Sequence, residues 1–200
     1  MTDSIIHKTP CTEVKRDIGD VITFPNFVRE AKEFRNLLLS QEFYHFGNHP
    51  RGGIWNGLRT DSLISVFNYD HFLELSKMFL AATGQEGLET YQIEMYAEFH
   101  STEEPTEDYI KQISPDFDYA GIVYLTPDAP VSAGIDFYMP TKEYNPYDAM
   151  AKSNYTTRDS VPNTFNTLVT FNPKEFIAFP ELFGDTVKTG ALYLIILLKQ

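Results

Sequence analysis

Two segments in the first half of the chain have the hydrophobic spacing of amphipathic helices. Apolar residues recur every three or four positions between charged ones in segment 26–40, and Asn26 is placed to cap its start. Segment 70–82 repeats the pattern and is followed by Gly84, a residue that commonly ends helices. We therefore expect two helices that bury one face each, formed by Phe27, Ala31, Phe34, Leu38, Phe72, Leu75, Phe79 and Ala82.

Beyond Gly87 the hydrophobic period changes to two, which is typical of half-buried strands. Segment 91–99 alternates apolar and polar residues, 119–126 is almost continuously apolar, and a turn then leads into 135–139. Three further short strands are expected at 167–171, 175–179 and 191–199. The pattern predicts a mainly β protein of the α+β class, with N-terminal helices packed on a sandwich or barrel of antiparallel strands.

The length of 200 residues favours a single domain over residues 1–200. We expect its helical part at about 20–90 and its β-rich core at 91–200, with a polar insertion at 140–165. A short helix within that insertion would begin at Asn145, which precedes a proline.

Composition restricts the classes of partner. Sixteen Lys and Arg against 28 Asp and Glu give a formal net charge of −12, which repels phosphate backbones and anionic lipid. The single cysteine, Cys11, excludes an intrachain disulfide and a cysteine-rich zinc site. The start of the chain lacks the apolar run of a signal peptide, and the longest apolar run, 192–198, is far too short for a membrane span. We expect no nucleic-acid or membrane partner and a cytoplasmic or otherwise non-secreted protein.

Several local motifs follow one another in a familiar order: GLRTDSL at 57–63, DYAGIVYLTPDAPVSAG at 118–134, NTLVTF at 166–171 and FGD at 183–185. Together they resemble the 2-oxoglutarate and Fe(II)-dependent oxygenase superfamily, and within it the small prolyl-hydroxylase-like proteins common in bacteriophages and marine bacteria. The resemblance implies a double-stranded β-helix, which is a jelly-roll, cupin-like barrel, with the N-terminal helices packed on it.

The resemblance also implies where a metal and its cosubstrate would be held. Active relatives carry His-x-Asp before the strand at 118, a second His in a late strand, and an Arg that binds the cosubstrate carboxylate. Alignment puts Ile113, Pro115, Ile177 and Ala191 at these four positions. Independently of alignment, the five histidines all lie at or before His100 and no arginine follows position 158. We therefore expect a degenerate site, with no catalytic residue, no metal and no cofactor.

An alternative keeps the activity and replaces the ligands. His100, Asp116 and Asp136 would hold the metal, and Lys188 would bind the cosubstrate, in an active dioxygenase that uses Fe(II) and 2-oxoglutarate. Carboxylate-rich sites favour Mg²⁺, Ca²⁺ or Mn²⁺ over Fe(II), so we rank this alternative second.

The first hypothesis is a catalytically inactive relative that serves as a protein-binding or structural module, such as a bacteriophage virion component or accessory protein. Its partner would be another protein or further copies of the chain, in the host cytoplasm or the virion. Aromatic residues in loop 43–55 and segment 140–165 are the expected contact points, namely Tyr44, Trp55 and Tyr147.

Overall fold

The computed structural model describes residues 16–18, 21–45, 57–67, 69–103, 110–141 and 152–200. Its larger sheet has seven strands in the order β1-β2-β8-β5-β10-β4-β3. All of the pairings are antiparallel. The strands of this sheet are β1 (Arg16–Ile18), β2 (Val21–Pro25), β3 (Leu58–Arg59), β4 (Gln92–His100), β5 (Tyr119–Tyr124), β8 (Thr167–Phe171) and β10 (Ala191–Lys199).

A smaller sheet of three antiparallel strands has the order β7-β6-β9. These strands are β6 (Ile135–Pro140), β7 (Tyr155–Val161) and β9 (Phe176–Ala178), and a 3-10 turn at Lys152–Asn154 precedes β7. Apolar side chains of both sheets, among them Ile122, Phe137, Ile177 and Ile195, form one buried cluster between them. The two sheets therefore enclose a common interior, as in the jelly-roll barrel that we expected.

In the part of the chain that the structure describes, three α-helices accompany the sheets: α1 (Ala31–Leu39), α2 (Leu63–Val66) and α3 (Tyr69–Thr83). Phe34 and Leu38 of α1 and Phe79 of α3 pack with side chains of β4 and β10 in a second buried cluster. This cluster lies on the face of the large sheet that points away from the barrel interior, because alternate residues of a strand point to opposite faces. Both expected helices are thus observed, on one side of the sheet.

The start of α1 differs from the expectation. Asn26 has a φ of 56° and lies before the helix rather than at its cap. Asn166, which precedes β8, instead accepts a hydrogen bond from the Val28 backbone N–H at 2.8 Å and donates one to the Val28 carbonyl at 2.7 Å. A side chain from a distant turn therefore holds the segment that leads into α1.

Three strands lie in segments where the sequence predicted none: β2 and β3 in the expected helical part, and β7 in the expected polar insertion. Strand β2 lies in the segment assigned to the helical part but pairs with β8 in the large sheet, and β7 lies in the expected polar insertion but pairs with β6. Strand β2 is short and ends in proline, and only the two ends of β7 are buried, so neither carries a clear strand pattern. The helix expected at Asn145 lies outside the described residues. Among the described helices, none has the length and apolar character needed to cross a membrane.

Candidate functional site in the barrel

Strand β4 presents two chemically different faces. Met95, Ala97 and Phe99 pack in the helix-side cluster. Because side chains alternate along a strand, Glu98 and His100 point to the opposite face, into the barrel. Strand β4, which lies between β10 and the edge strand β3, therefore carries an ionisable pair into the interior.

Cross-strand pairing extends this polar face into a row. Glu98 lies opposite Arg59 of β3 on one side and opposite Tyr193 of β10 on the other, and Tyr193 in turn lies opposite Tyr124 of β5. The tyrosine rings are 5.8 Å apart in an edge-to-face arrangement, and both residues are fully buried. Four neighbouring strands thus bring these four residues into one row, and the Arg59 guanidinium lies over the ring of Tyr96, 4.8 Å from its centre.

The smaller sheet contributes a cation to the same place. Lys111 and Ile177 of β9 exchange two backbone hydrogen bonds, of 2.9 and 2.8 Å, which join the segment at 110–112 to the edge of that sheet. The Lys111 ammonium lies 3.3 Å from Glu98 Oε1 and 5.4 Å from the centre of the Phe179 ring. Lys111 is therefore a polar link between the two sheets.

His100 is held tightly beside this ion pair. Its Nε2 is 2.6 Å from Glu98 Oε1, with the imidazole donating to the carboxylate. The ring lies 5.4 Å from that of Phe179 and 6.1 Å from that of Tyr193. Gly57, with a φ of +87°, passes so close that a Cβ there would come within 2.7 Å of the imidazole. Glycine is required at this position for both its backbone conformation and its lack of a side chain.

The charges of the cluster are coupled. Burial of Glu98 by itself raises the pKa of its carboxyl, but the Lys111 charge and the hydrogen bond from His100 outweigh it and hold that pKa well below its ordinary value. Burial raises the pKa of Tyr96 and Tyr124, so their phenols stay neutral. The interior therefore holds an ionised carboxylate matched by a cation.

Three of the four positions assigned from the resemblance converge in space. Ile113, Ile177 and Ala191 belong to the same buried cluster and are 7%, 0% and 0% exposed. Pro115 lies apart from them, exposed in the turn that follows Ser114. The residue that faces Ile177 across the strands is Lys111, with Ile113 two positions further on. Lys111 was not singled out in the sequence, where only its long-range pairing with Ile177 would have identified it.

The residues of the alternative metal site are not brought together. Asp136 lies on the outer face of the smaller sheet, where it accepts hydrogen bonds from Ser160 and Tyr138, while His100 points into the barrel. Asp116 is exposed in a turn, as is Lys188. Within the described ranges, no group of three or more His, Cys, Asp or Glu side chains is placed to hold a metal ion. A ferrous ion held by two imidazoles and a carboxylate does not fit these side chains.

Of the expected partner contacts, Tyr44 is 39% exposed at the edge of the large sheet, next to Arg59. Its hydroxyl donates to Asp61 at 2.6 Å, and this hydrogen bond is the main reason why the pKa of Tyr44 is raised. Trp55 and Tyr147 lie outside the described residues.

Comparison with known proteins identifies the fold. No family model and no curated protein sequence matches the chain. A 2OG-Fe(II) oxygenase family oxidoreductase from Burkholderia pseudomallei is similar in structure, with a TM-score of 0.59, 8% identity and coverage of 90% of this chain and 85% of that one. A prolyl hydroxylase from Trichoplax adhaerens, solved with a hypoxia inducible factor peptide, has a TM-score of 0.54, 13% identity and coverage of 90% and 84%.

A third structure, HygX from Streptomyces hygroscopicus, was solved with nickel and 2-oxoglutarate bound; its TM-score is 0.64, with 13% identity and coverage of 92% and 84%. This finding corrects the expectation that no cofactor is involved. HygX, which shares the fold, holds a metal and 2-oxoglutarate, so that expectation, which depended on four residue positions, was wrong. The chain has the jelly-roll fold of the 2-oxoglutarate and Fe(II)-dependent oxygenases.

Proposed function

We propose that the chain is a jelly-roll module that has lost the oxygenation reaction and serves to bind another protein. One observation carries the loss of the reaction: Ile113, Ile177 and Ala191, which the resemblance aligns with two metal ligands and the cosubstrate arginine, pack together as buried core. Apolar side chains supply no ligand to Fe(II) and no partner to a carboxylate. Loss of the reaction is compatible with entry of a metal or an acid into the barrel.

The replacement of the site by a new polar arrangement supports the same conclusion. Lys111 faces Ile177, and its ammonium is 3.3 Å from Glu98. The Lys111–Glu98 pair links the two sheets at this position.

The binding role depends on surfaces rather than on the barrel. A jelly roll is a rigid frame for variable loops, and function belongs to sites rather than to the fold. Tyr44 offers an exposed aromatic side chain at the edge of β3. A bacteriophage virion or a host-directed accessory complex, in the host cytoplasm, is the setting that we propose for this module.

The test of lost oxygenation compares the chain with a variant that restores the ligands. Under anaerobic conditions, Fe(II) or Mn²⁺ is titrated with 2-oxoglutarate while the melting temperature is followed, and succinate release is then measured in air. A ligand that binds the folded state tightly raises the melting temperature. We expect no succinate from the unmodified chain; succinate formed at a catalytic rate would establish the active alternative instead.

The restoring variant is Lys111→His/Ile113→Asp/Ile177→His. It places the His-x-Asp pair two residues before the aligned positions 113 and 115, because Lys111 is the residue that pairs with Ile177. We expect it to gain metal-dependent stabilisation relative to the unmodified chain. Its matched control, Gln112→His/Ser114→Asp/Ile177→His, shifts the pair by one residue to the other face of the strand and is expected to gain less. If the metal raised the melting temperatures of the two variants equally, Lys111 would not occupy a ligand position.

A further inference from the structure

The edge of the large sheet next to β3 holds an exposed tyrosine in a fixed position. Tyr44 and Arg59 exchange two backbone hydrogen bonds of 3.0 Å each, which add residue 44 to the sheet edge. The preceding residue, Phe43, packs in the helix-side cluster, and its ring meets that of Phe99 edge-on at 6.4 Å. Because neighbouring residues of an extended chain point to opposite faces, the Tyr44 side chain lies on the other side of the sheet from Phe43. Its backbone is therefore anchored while its ring remains in contact with solvent.

A carboxylate is held beside this ring. The Tyr44 hydroxyl donates to Asp61 Oδ1 at 2.6 Å, and the Asp61 side chain is exposed. The Thr60 hydroxyl donates to the Asp61 carbonyl at 2.9 Å, which restrains the backbone at this position. Since an ionised carboxylate accepts up to about four hydrogen bonds, the bond from one phenol leaves Asp61 able to accept from an incoming donor.

The arginine at this edge is directed toward the barrel rather than toward solvent. Arg59 lies opposite Glu98, and its guanidinium is 4.8 Å from the centre of the Tyr96 ring, which packs against the barrel-side cluster. The hydrogen bond to Asp61 raises the pKa of the Tyr44 phenol and outweighs the opposing effect of Arg59. The carboxylate therefore dominates the charge beside the exposed ring.

An exposed aromatic face beside a carboxylate is an arrangement that recognises a cationic side chain. The face of a tyrosine ring attracts a guanidinium or an ammonium, and a carboxylate accepts charge-assisted hydrogen bonds from the same group. Glu42, two positions before Tyr44, is also exposed and adds a second negative charge. The formal net charge of −12 attracts basic partners from a longer distance. Because its backbone and hydroxyl already fix the Tyr44 ring, little conformational freedom is lost when a partner binds.

We propose that Tyr44 and Asp61 form a docking site for an arginine or lysine side chain of another protein. The cation of the partner stacks on the Tyr44 ring and donates hydrogen bonds to the Asp61 carboxylate, and Glu42 adds to the attraction. This inference rests on the binding role proposed above and names the chemistry of the partner. The site lies at the outer edge of the sheet, apart from the positions that the resemblance aligns with a metal and its cosubstrate.

The experiment titrates the ¹⁵N-labelled full chain with the peptide acetyl-Gly-Arg-Gly-Arg-Gly-amide and follows the backbone amide resonances of Tyr44 and Asp61 by NMR. Two further peptides replace both arginines with citrulline, which is neutral and of nearly the same shape, or with glutamate. We expect the arginine peptide to shift both resonances, and Asp61→Asn to weaken its binding by about two- to fivefold or more. The matched control is Asp116→Asn, which removes the same charge from another exposed turn and should leave the affinity unchanged.

Two variants of the ring separate its contribution from that of the carboxylate. Tyr44→Phe keeps the aromatic face and should bind the arginine peptide within about twofold of the unmodified chain, whereas Tyr44→Ala should lose the binding. Circular dichroism confirms that each protein is folded. The proposal is overturned if the citrulline peptide binds as tightly as the arginine peptide, or if the glutamate peptide binds more tightly. It is also overturned if Asp61→Asn and Asp116→Asn weaken binding equally, which would leave only a general attraction to an acidic protein.

The outcomes also distinguish this site from the proposed function. If the arginine peptide shifts neither resonance and no succinate is formed, the docking site is wrong and the loss of oxygenation stands. If the peptide binds as expected and succinate is formed at a catalytic rate, the loss of oxygenation is wrong and the docking site stands. Self-association that Asp61→Asn abolishes would make a second copy of the chain the occupant and would overturn the proposal of a different protein.

Discussion

The two faces of the large sheet differ in chemistry: the face toward the helices is apolar, and the face toward the barrel carries polar and ionisable side chains. Toward the helices, β4 and β10 present side chains that are almost completely apolar and buried, such as Met95 and Leu194 at 0% exposure. Toward the barrel, the same two strands present Glu98 and Tyr193 in direct register. The first face needs only apolar surface to be removed from water, while the second needs every charge to be matched.

This difference has consequences for where the protein tolerates change. Apolar contacts depend on shape, so a lost ring leaves a cavity that neighbouring side chains fill only in part. A polar cluster depends on completeness, so removing one member costs more than removing a matched pair. Stability should therefore depend on side-chain volume on the helix side, and on charge balance in the barrel cluster of Glu98, Lys111 and His100.

The largest expected effect is the loss of a buried ring on the helix side. Phe79 of α3 is fully buried and packs against the backbone at Gly121 of β5, where a side chain would overlap its ring. We expect Phe79→Ala to lower the free energy of unfolding by about 3–5 kcal/mol, measured by urea denaturation. Tyr69→Ala is the control on the same helix; since Tyr69 is 66% exposed, its loss should be below about 0.5 kcal/mol. Similar losses for both variants would contradict the burial of the helix layer.

The second prediction concerns the ion pair between Lys111 and Glu98 in the barrel. Lys111→Met and Glu98→Leu each remove one member of the Lys111–Glu98 ion pair, and we expect each to lower the free energy of unfolding by about 1–3 kcal/mol. The double variant replaces both charges with apolar groups and should lose less than the sum of the two. A double-mutant cycle in urea measures this coupling. Additive losses would show that the 3.3 Å contact contributes nothing to stability.

The third prediction uses the depressed pKa of Glu98. Because the folded-state pKa lies below the ordinary value of 4.5, the contribution of Glu98 to stability is fully present above the unfolded-state value and is lost as the pH falls below it. Relative to Glu98→Gln, the unmodified chain should therefore lose at most about 1.4 kcal/mol of stability per pH unit below that value. Melting temperatures of both proteins between neutral and acid pH measure the difference. Parallel curves would show that the carboxyl pKa is not depressed.

Most helices and strands of the fold could be predicted from the sequence because most of them bury only one face. The alternation in β4 and the helical spacing in α3 follow from one face packing on the core, and the observed bounds agree with the expectation to within one or two residues. Strand β7 escaped detection because its sequence YTTRDSV is polar except at its ends. A polar edge strand is recognisable only from its pairing with β6.

The candidate site was less predictable for a related reason. Ile113, Ile177 and Ala191 were located through the resemblance and do share one cluster. Lys111 lies in an ordinary stretch of sequence, and its position follows from a backbone pairing with a residue 66 positions later, Ile177. Contacts of this kind depend on the closed topology rather than on any local pattern.

The smallest expected effect lies at the exposed edge of the large sheet, where neither packing nor enclosed charge contributes much. Tyr44→Phe removes the hydroxyl that donates to Asp61 at 2.6 Å in an exposed setting. Water replaces the lost partner of Asp61, so the free energy of unfolding should fall by no more than about 0.5 kcal/mol in urea. If Tyr44→Phe lowered the free energy of unfolding as much as Lys111→Met, the Tyr44–Asp61 hydrogen bond would matter as much for stability as the Lys111–Glu98 pair. Since Tyr44→Phe keeps the ring, it also separates the two roles of Tyr44: binding of a partner through the aromatic surface should survive this change and be lost in Tyr44→Ala.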